Sequence, residues 1–403
     1  MTPAHFITRL GWMTLPLLFV ICTTNFIIDA EATHHLPDES SIFPRTTAQS
    51  ALAKLHYLSI EKPDVEYFGS SRVEVGLPAR PELVGGTRVY NAGLSGALLG
   101  QWAPFARHVL ALTNPRKVVI GVTYSEFTTT PGDTDSDYMT LLSTNYNAYL
   151  FKRIPFDLGR ALSIESTRAS VKSIAALLRG GTYDEAGGVL SRLGQTTSVW
   201  MNQVMTGDRA VDIFRKRIIA GYEKSPRNGS SKAYRKDMRD SWVIFDDLIH
   251  DLCQGGVVVR IFIHPMHALR TEAIRLNGQW QEFESWKTDL AIFADRYKSQ
   301  SCDLRALDFS GYNGITTETI SGWSPQTPMI YYWEASHYKD NVGALILHRL
   351  FQESPGDTHD GFGYELRGGT VTHVLDTIRQ EQIHYTMTHA DDLALARKWA
   401  SEP

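Results

Sequence analysis

Two continuous β-branched runs, Lys117–Val122 (KVVIGV) and Val257–Ile263 (VVVRIFI), constrain the fold of this chain most. Runs without polar alternation are expected of strands buried on both faces, as in parallel sheets covered by helices on either side. Shorter strand signals stand at Val65–Phe68, Val89–Ala92 and Leu304–Phe309. Amphipathic helical patterns lie between them, at Trp102–Leu112, Ser241–Leu252 and Phe283–Tyr297. Further helices are expected from Thr47 to about Leu58 and over Val342–Leu350. This alternation predicts an α/β fold, a three-layer α/β/α arrangement around a mainly parallel five-stranded sheet. The rhythm breaks between Thr128 and Ser231, a stretch rich in Tyr, Ser, Thr and Arg with helical patches at Ser170–Leu178 and Val211–Tyr222. It reads as a helical insertion between the third and fourth strands, serving either as a lid or substrate wall or as packing. Residues 361–403 read as a helical extension. Its last helix is signed by Thr388, Asp391 and Asp392 at the start and by Arg397 and Lys398 at the end.

The amino end follows a different rule. Leu10–Ile28 reads LGWMTLPLLFVICTTNFII, without a charged residue, and a hydrocarbon core takes roughly 17–25 residues to cross. Arg9 precedes the stretch; Asp29, Glu31, Asp38 and Glu39 follow it, with no Lys or Arg before Arg45. That bias keeps the amino end in the cytoplasm and sends the body outside. Residues 1–29 are therefore expected to form a transmembrane signal anchor, 30–44 a linker and 45–403 the folded body. Two other readings fit the same stretch. Ala30-Glu31-Ala32 matches a small-x-small cleavage pattern, which would release a secreted body. Pro16 and the polar Thr23-Thr24-Asn25 suit a buried core helix. Cys22 lies in the apolar stretch, leaving Cys253 and Cys302 for the body. An exported compartment permits a disulfide between them, and two unpaired buried thiols fit equally well. The net charge of −4 gives no support to nucleic-acid binding.

Two distant segments carry chemistry. Tyr67-Phe68-Gly69-Ser70-Ser71-Arg72 ends the first strand, and Trp333-Glu334-Ala335-Ser336-His337-Tyr338 lies near the other end of the body. A serine on a Gly-Ser turn and a carboxylate three residues before a histidine are the parts of a Ser/His/acid site. A neutral hydroxyl is a poor nucleophile until a base takes its proton and a third group orients that base. Ser70 and Ser71 follow a strand's carboxyl end, where open α/β sheets bind ligands, although a serine there also makes a good helix N-cap. The second strand runs into Asn91-Ala92-Gly93-Leu94-Ser95-Gly96, a turn whose exposed N–H groups can face an oxyanion or simply connect strand to helix. Glu334 and His337 stand at one-turn spacing, so the carboxylate can fix the imidazole tautomer; a surface pair is the plain alternative. Arg72 suits either an anionic group beside the nucleophile or an outward salt bridge. His264 and His267 follow the fourth strand and Asp308 ends the fifth; each either lines the pocket or serves the structure. No Cys, Asp or Glu near the two histidines completes a metal set, so no metal is expected.

Taken in order, FGSSR, NAGLSG and WEASHY resemble the SGNH (GDSL-type) hydrolase superfamily. The likeness covers most of residues 60–350. It is closest to the membrane-anchored periplasmic branch that includes polysaccharide O-acetylation proteins and D-alanyl-lipoteichoic-acid transfer proteins. The resemblance implies an SGNH/flavodoxin-like sheet held at the outer face of a bacterial inner membrane. It also implies cofactor-free, serine-dependent acyl-ester chemistry, by hydrolysis or O-acyl transfer, on a cell-envelope glycan or small acyl ester, with other envelope-modification proteins as partners. Ser71 matches the nucleophile, His337 the base and Gly96 the oxyanion-hole glycine, which acts with the Ser71 N–H. Glu334 stands where the family usually has aspartate, one methylene longer; should it fail to reach, Asp308 or a backbone carbonyl would orient His337. The family's third block often supplies an asparagine donor. Gly121-Val122-Thr123-Tyr124-Ser125-Glu126 has none and leaves Tyr124 or Ser125 for the task. Losing one oxyanion donor typically costs about 10²–10³ in rate. A catalytically silent glycan-binding or assembly protein, and a tethered scaffold whose insertion binds a partner, are the rival expectations.

Overall fold

The computed structural model describes residues 3–31, 33, 42–43, 50–129, 137–180, 191, 193–196, 201–202, 205, 207–223, 232–320, 328–351 and 361–401. The chain divides into two compact units, Met1–Glu61 with Asp135–Arg192, and Lys62–Thr134 with Leu193–Pro403.

The second unit holds the sheet. Its strands are β1 (Val65–Phe68), β2 (Val89–Asn91), β3 (Lys117–Val122), β4 (Val258–Ile263), β5 (Leu304–Asp308) and β8 (Tyr364–Glu365), in the order β2-β1-β3-β4-β5-β8. Strands β1 to β5 pair in parallel, and β8 runs antiparallel to β5. The fold is thus α/β with a mainly parallel sheet, and among the described residues that sheet has six strands, not five. The sixth is two residues long, too short to leave a hydrophobic pattern. Among the described residues two further strands, β6 (Tyr332–Glu334) and β7 (His337–Tyr338), pair only with each other. Chain order reverses beside β1, with β2 on one side and β3 on the other, and such a switch point opens a crevice at the strands' carboxyl ends.

Helices cover both faces of this sheet. On one face Val65, Tyr67, Val119, Phe262 and Leu307 belong to a core that includes Val342, Ile346 and Leu350 of the helix Asp340–Phe351. On the other face α4 (Leu99–Thr113) contacts β1, and the helices Lys232–Gln254 and Trp280–Ser299 contact β4 and β5. Phe127, Trp242, Phe245, Trp286 and Phe293 form an aromatic cluster on that side, with ring centroids 4.8–6.1 Å apart. Cys253, in the last turn of Lys232–Gln254, and Cys302, just before β5, are joined in a disulfide with Cα atoms 5.2 Å apart. Neighbouring β4 and β5 bring the two together.

The first unit is helical. Its α1 (Pro3–Ile28) packs against α6 (Tyr146–Ala161) and α7 (Ile164–Leu178). The carboxyl end of α1 is tied down by polar contacts. Asn25 Nδ2 donates to the Ala161 carbonyl (2.8 Å) and to Thr167 Oγ1 (3.0 Å). Glu31 pairs with Arg160 (2.6 Å) and accepts from Ser166 Oγ (3.0 Å). Of the expected insertion, α6 and α7 therefore belong with the amino end, whereas the helix Gly207–Glu223 belongs with the sheet; residues 130–136, 181–190 and 224–231 of it lie outside the described residues, as does most of the expected linker. Among the described residues no helix is long and apolar enough to cross a membrane. The side chains of residues 1–11 are not among those described; from Trp12 onward, α1 exposes Trp12, Leu15, Leu17, Phe19, Val20 and Ile27.

Candidate functional site

The strand β1 ends at a sharp turn. Gly69 has φ +147°, and a Cβ there would come within 2.6 Å of Val73 Cγ2 and 2.7 Å of the Gly121 carbonyl oxygen. Only glycine lets the chain turn this close to β3. Ser70 occupies the N-cap position of the short helix α3 (Ser71–Gly76), but its side chain makes no capping hydrogen bond and is buried. The cap therefore accounts for Ser70 as a position and not for its hydroxyl. Ser71, the first helical residue, is only partly buried.

The hydroxyl of Ser71 lies 2.8 Å from His337 Nε2. On the other side of the ring, Nδ1 contacts Glu334 Oε1 at short range. Glu334 Oε2 accepts the Ser336 N–H (2.9 Å), and Arg217 Nε stands 4.0 Å from it. An ionised carboxylate accepts only, so Nδ1 donates and Nε2 is left to accept from Ser71. Burial pushes the Glu334 carboxyl up, but the charge and hydrogen bond of His337, the Ser336 N–H and Arg217 outweigh it and hold the group below its usual range. Glutamate thus reaches the ring despite its longer arm, and neither Asp308 nor a carbonyl is needed.

The Glu334–His337 geometry corrects the helical spacing read from sequence. The two residues are opposite partners across a tight antiparallel hairpin, β6–β7, not one turn apart on a helix. The hairpin is moored to the loop after β4: His267 N–H donates to the Ala335 carbonyl (3.1 Å), and Tyr332 OH to the Pro265 carbonyl (3.0 Å).

The turn after β2 lies beside the serine turn. Ala92 N–H donates to Tyr67 O (2.8 Å) and Leu94 N–H to Gly69 O (2.9 Å), and Leu94 bridges Ser70. Glu74 of α3 fastens the loop by accepting Ser95 Oγ (2.6 Å) and Thr196 Oγ1 (2.9 Å). Gly96 is exposed, with φ +75° and open space around its α-carbon.

The third block is arranged differently from expectation. Tyr124 packs its ring against Phe283 and Trp286 and is buried, so it points into the aromatic cluster instead of the crevice. Ser125 is exposed, and its Oγ sits 3.2 Å from Thr123 Oγ1. Glu126 accepts the Thr123 N–H (2.7 Å) and hydroxyl (2.9 Å) and the Trp102 Nε1–H (3.3 Å). Burial raises its carboxyl above the usual range, with Arg72 and Thr123 opposing.

Other expected pocket residues are displaced into the fold. His267 is buried; its Nε2 donates to the Glu318 carbonyl (2.7 Å) and its Nδ1 accepts from Leu269 N–H (3.3 Å). Burial lowers its pKa to about 4, so it is a neutral structural ring and lines no cleft. Asp308 is likewise closed off, 2.7 Å from buried Lys287 and accepting Ser310 N–H (2.8 Å) and Oγ–H (2.7 Å). His264 is fully buried behind the site, its Nδ1 3.1 Å from Tyr338 OH. Burial and then the charge of Arg72 hold it well below the usual range. Among the described residues no His, Cys, Asp or Glu cluster can hold a metal ion.

Reading the sequence did not find Arg217, Arg270 or Glu126 as neighbours of this centre. The spacing Thr123-x-x-Glu126 is a helix-start signal that could have drawn attention to that carboxylate. Arg217 and Arg270 come from separate helices and left no local mark. No protein-family model matches the chain, and neither does any curated protein.

Proposed function

We propose that this protein performs serine-dependent acyl-ester chemistry, as a hydrolase or O-acyltransferase, on a cell-envelope glycan or related acylated molecule. The observation that carries the reading is the unbroken relay from Glu334 through His337 to the hydroxyl of Ser71, placed where strand order reverses. The order of motifs and the strand order β2-β1-β3-β4-β5 also agree with an SGNH-type layout.

In this mechanism Ser71 Oγ attacks the acyl carbonyl while its proton passes to His337 Nε2. The oxyanion is received by the N–H groups of Ser71 and Gly96. Glu334 holds the ring and offsets the imidazolium charge. Collapse expels the alcohol, which takes the proton back from Nε2 and leaves the acyl group on Ser71. A water or a sugar hydroxyl then attacks the acyl-enzyme, giving its proton to His337; the acyl–Oγ bond breaks, Ser71 takes the proton from Nε2, and the acyl group leaves as the free acid or the new ester.

The same reading places the body outside the cytoplasm on an uncleaved α1. The disulfide suits an oxidising compartment. The contacts of Asn25 and Glu31 with α6 and α7 would be broken or orphaned by cleavage after Ala30 or Ala32. The test is labelling of the full chain with a fluorophosphonate probe. Labelling that disappears in Ser71→Ala and persists in Ser70→Ala is expected; a folded wild-type protein that takes no label would overturn the reading.

A second reading, a silent glycan-binding protein with the same fold, is favoured by one observation. The third block offers no amide side chain, and Tyr124 is drawn away into the aromatic cluster. The same labelling decides between the two.

A further inference from the structure

We propose that Arg72, with Arg270 and Arg217, forms an anion subsite beside Ser71, so that the acylated molecule carries a carboxylate or phosphate group close to its ester. The inference rests on the acyl-ester reading and narrows its substrate class.

Arg72 follows the nucleophile directly. Its side chain is partly buried, and its Nε is enclosed without a hydrogen-bond partner. Among the described residues its guanidinium enters no hydrogen bond or ion pair. Other arginines of this unit are supplied: Arg260 pairs with Asp303 (2.8 Å), Arg275 with Glu272 (2.6 Å) and Arg379 with Glu284 (2.6 Å). Enclosing part of a charged group is unfavourable unless it is paired, and a guanidinium presents a planar fork matched to carboxylates and phosphates.

The groups around Arg72 do not meet this need. His264 and Tyr338 bond to each other, the first kept neutral and the second far from ionising. Glu126 lies within its electrostatic reach, but Thr123 and Trp102 already occupy that carboxyl. Two more guanidinium groups stand near. Arg270 Nη1 donates to the Arg217 carbonyl (2.6 Å), and Arg217 Nε approaches Glu334 at 4.0 Å. Burial and the charge of Arg72 lower Arg270 to about 10, the direction expected when cations crowd one another. Glu334 is already committed to His337. Arg72 is thus left without a partner beside Ser71, Arg217 has only its long contact with Glu334 and Arg270 a backbone carbonyl, and an anionic ligand completes the set.

The experiment uses the full chain in detergent and three matched O-acetyl sugars: glucose, glucuronate and glucose 6-phosphate. The wild type is expected to cleave one charged ester with at least about tenfold higher kcat/KM than the neutral one. Whichever charged ester is preferred tells carboxylate from phosphate. Arg72→Gln should lower the charged kcat/KM by about 10–100-fold, as loss of a charge-assisted contact does, and the neutral one by much less. Arg270→Gln is the second variant, should Arg72→Gln not fold. Equal rates on all three sugars in the wild type, or equal losses on all three in the folded variant, would overturn the proposal. If no ester is cleaved at all, the acyl-ester reading has failed, and the subsite is judged by calorimetric binding of the three unacetylated sugars. A charged sugar bound more tightly than glucose, with that preference lost in the variant, supports it; equal binding overturns it.

Discussion

The carboxyl ends of β1 and β5 belong to one sheet, and each presents a buried carboxylate–base arrangement. At β5 Asp308 is closed: Lys287 stands 2.7 Å away over the Phe283 ring, and Ser310 supplies its N–H and hydroxyl. Each of these partners is fixed by the protein. At β1 the relay of Glu334, His337 and Ser71 ends on a hydroxyl that is only partly buried. A buried charge pair that is complete within the fold offers no open position to a substrate. The second arrangement differs in ending at the crevice, on an atom whose bond can change. Burial of titratable groups alone therefore does not mark a site in this molecule; an unfinished chain of partners does.

The comparison is broken most severely by Ser71→Ala or His337→Ala. Each should lower ester turnover by about 10⁴-fold or more while thermal unfolding stays put, because the members of such a relay act as a unit. Glu334→Gln should follow, at about 10³–10⁴-fold in kcat, since an amide no longer enforces the tautomer or offsets the imidazolium. Glu334→Asp, which retracts the carboxylate by one methylene, should cost nearer 10²-fold. At β5 the signs exchange. Lys287→Met should cost about 3–5 kcal/mol in denaturant unfolding by stranding Asp308, whereas Lys287→Met with Asp308→Leu regains most of it, and turnover by folded protein is unchanged. Cys253→Ser removes a link spanning 49 residues and should cost about 2–4 kcal/mol, again without a specific effect on chemistry. The smallest expected effect is on pH dependence. The Glu334 carboxyl titrates below its unfolded value of 4.5, so the folded state binds fewer protons than the unfolded one across that window. Its stabilisation is present above pH 4.5 and fades as pH falls through the folded value. Melting temperature against pH should show a shallower acid limb in Glu334→Gln than in the wild type; identical limbs would count against the carboxylate–imidazole contact.

Much of this arrangement is legible in the sequence, for physical reasons. β3 is readable to the residue because the buried length of a strand covered on both faces is apolar, and VVIGV after Lys117 is. Ser71 was readable because a Gly-Ser turn after a strand is local chemistry. The hairpin β6–β7 was not, since its Ala335-Ser336 turn carries none of the Asn-Gly or Asp-Gly signals and Glu334-x-x-His337 mimics helical spacing. β8 is too short to have a period. His267 and Asp308 look like pocket residues by their position after strands; only tertiary partners, Glu318 and Lys287, show them to be occupied. Arg217 and Arg270 reach the centre from helices far from Ser71 in sequence, and nothing local announces a convergence of that kind.

Among the described residues the hairpin that carries His337 shares no ladder with the main sheet; it is held by Tyr332, Ala335 and Tyr338, buried in the core beside the sheet, and by bonds to the loop after β4. Its hold on the body is side-chain packing rather than a shared ladder, so its amide hydrogens are expected to exchange before those of β3 and β4. On warming, the protein should go silent before it melts, with competence lost at the temperature where this small flap lets go.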